Sequence, residues 1–478
     1  MIKPEKTKTA ERPKMKYQER TGELRENEKK VLENLRETIK WFEDYEATSF
    51  GLDENIADKN LELVKYLKDF REEFANFEEP SEAQKVETEA KKSDIVFLGD
   101  HHNLRRNQEF SAEFIEKVAQ SQPSQAVLAL EFISPKYQET IEEFMSGQID
   151  EELFLRKVHF SEWGNLEHWP GYKKMLETAQ KFGIKVYGIR FVAENDEQDL
   201  EDKFFAEKLV AISEKHPQAK LFVHIGNAHL ASGHLPKVLS QIDQFRNKKS
   251  VAILQNIRPL YFSALERYKN FQIPKVLKVK DGTYNFITAP LITEVISDIE
   301  NLKQFMGQTE GEEDVWADVM GTEIVTRLRK MIGVSTDEKV VDSKDYPPSI
   351  FFPSFYSEAD SKILLKQLKE KLPTDVYEQY LKTLEEKGCV YIPRVGKNSK
   401  STRLKNCLIV KRFRLKRIIE ELAKFVIDAK GEKGDISALQ YFCSKLFIPE
   451  RQPENTTEEK GEKLFIDFLN GKQPPLPR

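Results

Sequence analysis

The chain has 478 residues, with 75 Lys or Arg against 80 Asp or Glu, a formal net charge of −5. A length of this order supports two or three domains with cores of their own, and 39% hydrophobic against 32% charged residues describes a globular chain with charged helices. The charge gives no overall attraction to nucleic acid, no window reaches the roughly 20 apolar residues of a membrane helix, and three cysteines without C-x-x-C spacing argue against a disulfide framework or a structural zinc site.

Residues 1–22 are polar, rich in Lys and Glu, and are expected to be disordered. They lack the apolar stretch of a secretory signal, which points to the cytoplasm, although a removed leader would leave the same sequence. Residues 23–92 read as a helical segment and a linker: Leu32, Leu35, Ile39, Phe42 and Tyr45 recur at helical spacing, as do Leu61, Leu63, Val64, Leu67 and Phe70. Glu79-Pro80 and the polar stretch to Lys92 are taken as the linker.

From residue 93 the pattern changes to strand alternating with helix. Strands are predicted at 94–98, 126–130, 184–189, 220–225 and 251–255, with a further one at 283–288. Between them, Phe110, Phe114, Ile115 and Val118 share a helical face, Ser134-Pro135 opens a second helix that Gly147 closes, and residues 171–182 and 198–215 form two more. The expected fold class is α/β, a mainly parallel sheet with flanking helices over 93–305 and a core of its own. Residues 306–478 are expected to be a mostly α domain. Within it, 388–419 is basic: from Gly388 to Ile419 there is no acidic residue, and Arg394, Lys397, Lys400, Arg403, Lys405, Lys411, Arg412, Arg414, Lys416 and Arg417 lie there. Such a segment is either a solvated helix face or a patch for an anionic partner, nucleic acid or lipid. Residues 390–392 and 408–410 flank it as a candidate hairpin.

All eight histidines lie between His101 and His234, and three of them fall in two short segments, Gly99-Asp100-His101-His102 and Gly226-Asn227-Ala228-His229, each directly after a predicted strand. Glu131 follows the second strand and Arg190 the third. In a parallel sheet these ends share one edge, where ligands bind, so Asp100, His102, Glu131, Arg190 and His229 are the candidate catalytic group. His102 and His229, with oxygen from Asp100 or Glu131, could hold a divalent metal, Mn, Fe or Zn, which would activate water. A remaining carboxylate would act as base and Arg190 would clamp an anionic group. Glycine at each turn allows backbone angles with φ > 0 and close approach. His224 alternates inside its strand and reads as a packed core residue. Residues 159–172 carry His159, Trp163, His168, Trp169 and Tyr172 and read either as a wall over the crevice or as a loop stapled to the core.

These residues resemble the Tiki/TraB/erythromycin-esterase/ChaN-like superfamily, and most closely its ChaN-like haem-binding branch. The family pattern is a strand ending in Gly-Glu-x-His, a Glu after the second strand, a Trp-Pro loop and a second Gly-x-x-His. Here these are Gly99 to His102, Glu131, Trp169-Pro170-Gly171-Tyr172 and Gly226 to His229, over about residues 93–305. The resemblance implies an α/β domain with its pocket at the strand ends, and haem binding linked to iron uptake. Relatives in the wider superfamily are metal-dependent hydrolases. Asp100 stands where the family has Glu, which shortens the carboxylate by one methylene and weakens transfer of the hydrolase mechanism. No lipoprotein signal precedes it. His168, Trp169 and Tyr172 are the haem contacts that the loop composition suggests. The reading is a haem- or metal-binding protein; the alternatives are a metal-dependent hydrolase and a catalytically silent interaction protein that uses its basic segment. The oligomeric state is not encoded in any of these features.

Overall fold

Short runs of Val, Ile, Leu and Phe bounded by turns become strands when both of their faces can be covered. In the computed structural model eight strands, all but the exposed Glu-Pro pair of β1 carrying such residues, form one sheet: β1 (Glu79–Pro80), β2 (Ile95–Asp100), β3 (Ala126–Leu130), β4 (Lys185–Gly188), β5 (Lys220–Gly226), β6 (Ser250–Gln255), β7 (Val276–Lys280) and β8 (Thr283–Phe286). Their order across the sheet is β1-β7-β8-β6-β2-β5-β3-β4. The six strands from β8 to β4 are parallel to their neighbours, while β7 and β1 run antiparallel at one edge. The structure describes residues 17–49, 61–120, 126–164, 166–192, 198–305, 313–332, 349–351, 369, 373–387, 389–392, 407–410, 415–428 and 435–473.

The expected α/β sheet with flanking helices is therefore present, with two additions at its edge. The stretch read as a linker carries β1 and helix α3 (Ala83–Lys92), following α1 (Glu26–Ser49) and α2 (Leu61–Glu73). Helix α3 buries only Val86 and Ala90, so its apolar stripe is too thin to stand out in sequence. Strand β7 was not anticipated. It pairs with β8 across Asp281-Gly282, where Gly282 takes φ +71°. Asp-Gly between two short strands is a hairpin signal that the sequence does contain.

Helices α4 (Arg105–Ala119), α5 (Gln138–Met145), α6 (Glu151–Lys157) and α7 (Trp169–Phe182) cover one face of the sheet, packing Phe114, Ile115 and Met175 against Val96, Leu98, Leu128 and Leu130. The other face holds α8 (Gln198–Lys215) and α9 (Leu235–Ser240) over Phe97, Val127, Val223 and Ile225. The apolar layer on this second face is continuous with Val31, Leu35 and Phe42 of α1 and with Ile418, Leu422 and Phe465 far along the chain.

Beyond residue 305 the described chain is mainly helical, Glu313–Met331, Thr374–Lys387, Leu415–Asp428, Ile436–Lys445 and Thr456–Leu469. It also has a small sheet, β9 (Ser349–Phe351), β10 (Cys389–Ile392) and β11 (Cys407–Val410). The candidate hairpin strands pair antiparallel, Val390 opposite Ile409, and β9 joins β11 in parallel. Most of the basic segment, 393–406 and 411–414, lies outside the described residues. Of its described cations, Lys416 pairs with Glu454 and Arg417 with Glu420. No helix among the described residues is long and apolar enough to cross a membrane.

Candidate metal centre at the strand ends

The chain leaves β2 toward the α4 face and leaves β5 toward the α9 face, and these two strands are neighbours, with Asp100 in register with Gly226. Adjacent strands whose connections diverge to opposite faces leave a crevice between them, which is where open α/β sheets bind ligands. His102 sits two residues past β2, and His229 lies in a short 3-10 turn, Asn227–Leu230, after β5. Glu131 is the first residue past β3, the strand on the other side of β5. Neither motif glycine needs positive φ: Gly226 has φ −52°. What both need is room, because a Cβ on Gly99 would lie 2.2 Å from Asn227 Oδ1, and one on Gly226 would lie 3.3 Å from His102 Nε2 and 3.4 Å from His229 Cδ2.

Each imidazole is held by a buried carboxylate on its far nitrogen. His102 Nδ1 donates to Asp100 Oδ2 at 3.0 Å, and His229 Nδ1 donates to Asp202 Oδ1 at 2.8 Å. A carboxylate only accepts, so both Nδ1 atoms carry the proton and both Nε2 atoms are turned to the crevice. There, His102 Nε2 is 3.8 Å from Glu131 Oε2, His229 Nε2 is 3.8 Å from Glu131 Oε1, and His229 Nε2 is 4.0 Å from Glu201 Oε2. Glu131, Glu201 and His229 each offer a ligand atom within 4.8 Å of the others. Glu131 is itself fixed, accepting from Gly226 N at 2.6 Å.

The electrostatics follow from crowding acids and imidazoles out of water. Burial pushes the Glu201 carboxyl up to about 7, with Glu131 and Asp202 adding to it against His229. Burial disfavours the His229 imidazolium, but Asp202, Glu131 and Glu201 outweigh it and raise its pKa to about 9. In His102 the same contest, burial against Glu131 and Asp100, also ends in a raised pKa. Burial works against the Asp100 charge too, yet His224, His102 and Gln108 hold it down at about 2.

The structure thus brings Asp100, His102, Glu131 and His229 together, but it gives Asp100 a different place from the ligand read in the sequence. Its Oδ1 accepts from Gln108 at 2.7 Å, and its Oδ2 from His102 and, at 3.2 Å, from Tyr172. With both oxygens engaged and only 3% exposed, it orients His102 and has no free oxygen to offer the cleft it borders. Tyr172 reaches the site through this bond and one to His102 O at 3.4 Å, and Trp163 Nε1 donates to the same phenol at 3.2 Å. The Trp163 ring leans on His102 at 4.6 Å, and the Arg190 guanidinium lies over the same indole at 5.2 Å from its centroid. Trp169 and His168 are not brought to the crevice. Pro170 in the first turn starts α7 at Trp169, and this turns the indole into a core of Phe144, Phe154 and Phe160. His168 is 7% exposed. His224 is buried in its strand at 1% exposure, as its alternation indicates.

Three residues of the site were not read from sequence. Glu201 and Asp202 fall in the first turn of α8, where acidic residues are ordinary helix-dipole partners. Tyr66 of α2 sits in an apolar stripe and looks like packing. Its hydroxyl lies 3.1 Å from Asp202 Oδ2 and 2.9 Å from His229 Nδ1.

A cleft of about 780 Å³ opens over the two imidazoles. Leu67 and Phe70 form one wall and Ile257, Pro259 and Val295 the other, with Arg71 also lining it. A second polar group lies in the same cleft: His101 Nε2 is 2.8 Å from Asp298 Oδ1, and Arg258 is 3.5 Å from Glu294.

Residues 86–195 match the family described as haem-binding uptake, Tiki superfamily, ChaN. This segment is ChaN-like. The matched stretch holds Asp100, His102, Glu131 and Tyr172 and ends before Glu201 and His229. Among solved structures, the chain is similar to the type III effector HopBA1, at 16% identity over 37% of this chain and 85% of that one, with a TM-score of 0.27. It is also similar to a structure described as cofacial heme binding to ChaN of Campylobacter jejuni, at 14% identity over 40% of this chain and 92% of that one, with a TM-score of 0.28. No curated protein matches.

Proposed function

We propose that the protein binds a divalent transition-metal ion through Nε2 of His102 and His229 and the carboxylates of Glu131 and Glu201. The observation that carries this is the paired orientation of the imidazoles, each with Nδ1 tied to a buried carboxylate and Nε2 facing Glu131 at 3.8 Å. Ligand atoms about 2.0–2.2 Å from such an ion stand roughly 3–3.6 Å apart, so the two 3.8 Å imidazole–Glu131 approaches need to close by a few tenths of an ångström, and the Glu131–Glu201–His229 group, whose donor atoms lie within 4.8 Å of one another, by up to about 1 Å. A carboxylate behind each metal-bound histidine is the usual way to fix its tautomer and raise its basicity. Binding would displace the protons that the crowded acids now hold on the imidazoles. Two His and two carboxylates suit Mn, Fe or Zn.

The chemistry such an ion would supply is a lowered pKa of a water completing its coordination, which makes hydrolysis the reaction class of the enzyme reading. The chain's part in it is to hold the donors and to receive a small molecule between the α2 wall and the Ile257 wall.

A second reading is haem binding. The cleft volume lies within the usual range of ligand pockets, ~300–1,000 Å³, its two walls are apolar, and the ChaN-like segment supports it. His102 or His229 would then be the nitrogen donor.

The test is elemental analysis of the purified protein together with Co²⁺ and haemin titrations of wild type and of His102→Ala/His229→Ala. Visible Co²⁺ bands in wild type that vanish in the double variant are the expected result. A Soret shift with haemin in place of Co²⁺ bands favours the haem reading. A wild-type protein that takes up neither ends both.

A further inference from the structure

The α2 helix precedes the ChaN-like segment in sequence, yet it closes over the site. Two separate contacts pin it there. At its C-terminal end Glu73 accepts from Ser232 N at 2.8 Å and from Ser232 Oγ at 2.8 Å, just past the His229 turn. Two turns earlier, Tyr66 lies flat on His234, ring centroids 3.5 Å apart and 10° between planes, while His234 Nδ1 bonds Ala228 O at 2.7 Å. The stacked ring delivers its hydroxyl into the Asp202–His229 pair, 3.2 and 3.1 Å from the two oxygens of Asp202.

We infer that Tyr66 is a positioning residue for His229. Asp202 has two oxygens and His229 needs only one. The phenol O–H donates to Oδ2, which stops the carboxylate from rotating away and leaves Oδ1 on the imidazole N–H. The phenol oxygen, 2.9 Å from Nδ1, also shares that proton. The ring of His229 is thereby fixed about its own bond, and its Nε2 has one direction available, toward Glu131 and Glu201. Tyr66 is 7% exposed and Asp202 3%, so water does not stand in for the missing bond as it would at the surface. The consequence for metal binding rests on the metal reading above, whereas the hold on His229 does not.

Tyr66→Phe keeps the ring and its stack on His234 and removes only the hydroxyl. Co²⁺ titration of wild type, Tyr66→Phe, Asp202→Asn and the double variant is the first arm. Partners behind a metal-bound histidine are worth about 10–100-fold in affinity. Since Tyr66 holds His229 in part through Asp202 and in part through its own oxygen on Nδ1, roughly tenfold weaker binding is expected for Tyr66→Phe, with a smaller further effect, about threefold or less, in the Asp202→Asn background. General loosening of the fold would instead cost the same factor in both backgrounds and would overturn the inference. The second arm needs no metal. The downfield Nδ1–H proton of His229 in the metal-free protein should exchange with water severalfold faster in Tyr66→Phe, with the thermal midpoint unchanged. Wild-type exchange in the variant overturns the inference. Should wild type bind no Co²⁺, the metal reading fails, and this proton alone decides for or against Tyr66.

Discussion

His168 gives a quantitative test of the geometry around the site. It stands at the N-cap position of α7 at 7% exposure without a side-chain capping bond, and neither ring nitrogen has a hydrogen-bond partner. Burial, above all, pushes its pKa from 6.5 down to about 4; Asp100 pulls the other way and His101 adds to the drop. A histidine whose folded pKa is depressed is neutral in the native state, while the unfolded chain takes up the proton once the pH falls below 6.5. Stability is therefore lost as the pH drops from there toward 4, by ~3 kcal/mol in all. About 2 kcal/mol of that falls between pH 7.5 and pH 5. Replacing the ring by an apolar side chain of similar size, His168→Leu, removes the titration without leaving a polar atom unpaired. Urea unfolding of both proteins at the two pH values reads the effect. His101 and His229, whose pKa values are raised, work in the opposite direction over this range, so the quantity to compare is the wild-type-minus-variant difference. It should favour wild type less at pH 5 than at pH 7.5 by about 2 kcal/mol. A difference that stays constant would mean that His168 is hydrated or hydrogen-bonded, and the packing described for the start of α7 would be refuted. The same variant bears on haem: with His168 enclosed, its loss should leave any Soret shift intact.

Two further outcomes are expected. Gly226→Ala puts a methyl 3.3 Å from His102 Nε2 and 3.4 Å from His229 Cδ2; it should weaken Co²⁺ binding roughly tenfold with unchanged far-UV circular dichroism, and an unaltered affinity would mean that the imidazoles do not converge at Gly226. Burial opposes the His101 charge, but Asp298 and Glu294 outweigh it and raise its pKa to about 10, so its contribution to stability is complete below pH 6.5 and is lost as the pH climbs toward 10. Asp298→Asn should flatten the alkaline loss of stability measured by urea unfolding between pH 7 and 10, and a loss equal to that of wild type would remove the ion pair from the account.

The sequence by itself determined the strands and what stands at their ends. The largely apolar runs at 95–98, 126–130 and 221–225 read as buried on both faces, which makes them interior parallel strands, and the residues that follow them, His102, Glu131 and His229, then share an edge whatever the order of the strands. What the sequence did not determine is direction. Asp100 is two residues from His102, close enough to be a co-ligand or its support, and only the bonds from Gln108 and Tyr172, eight and seventy-two residues away, turn it into the support. Trp169 and Tyr172 are three apart, but one turn of α7 sends the indole into the core and the phenol to Asp100. Glu201, Asp202 and Tyr66 come from helices whose local pattern is that of any amphipathic surface helix, so their polar atoms carry no signal until α8 and α2 dock against the strand ends. Strand periodicity is written in neighbouring residues; the partners of a buried carboxylate are chosen by packing between elements far apart in the chain, and only the tertiary structure brings those elements within hydrogen-bond reach.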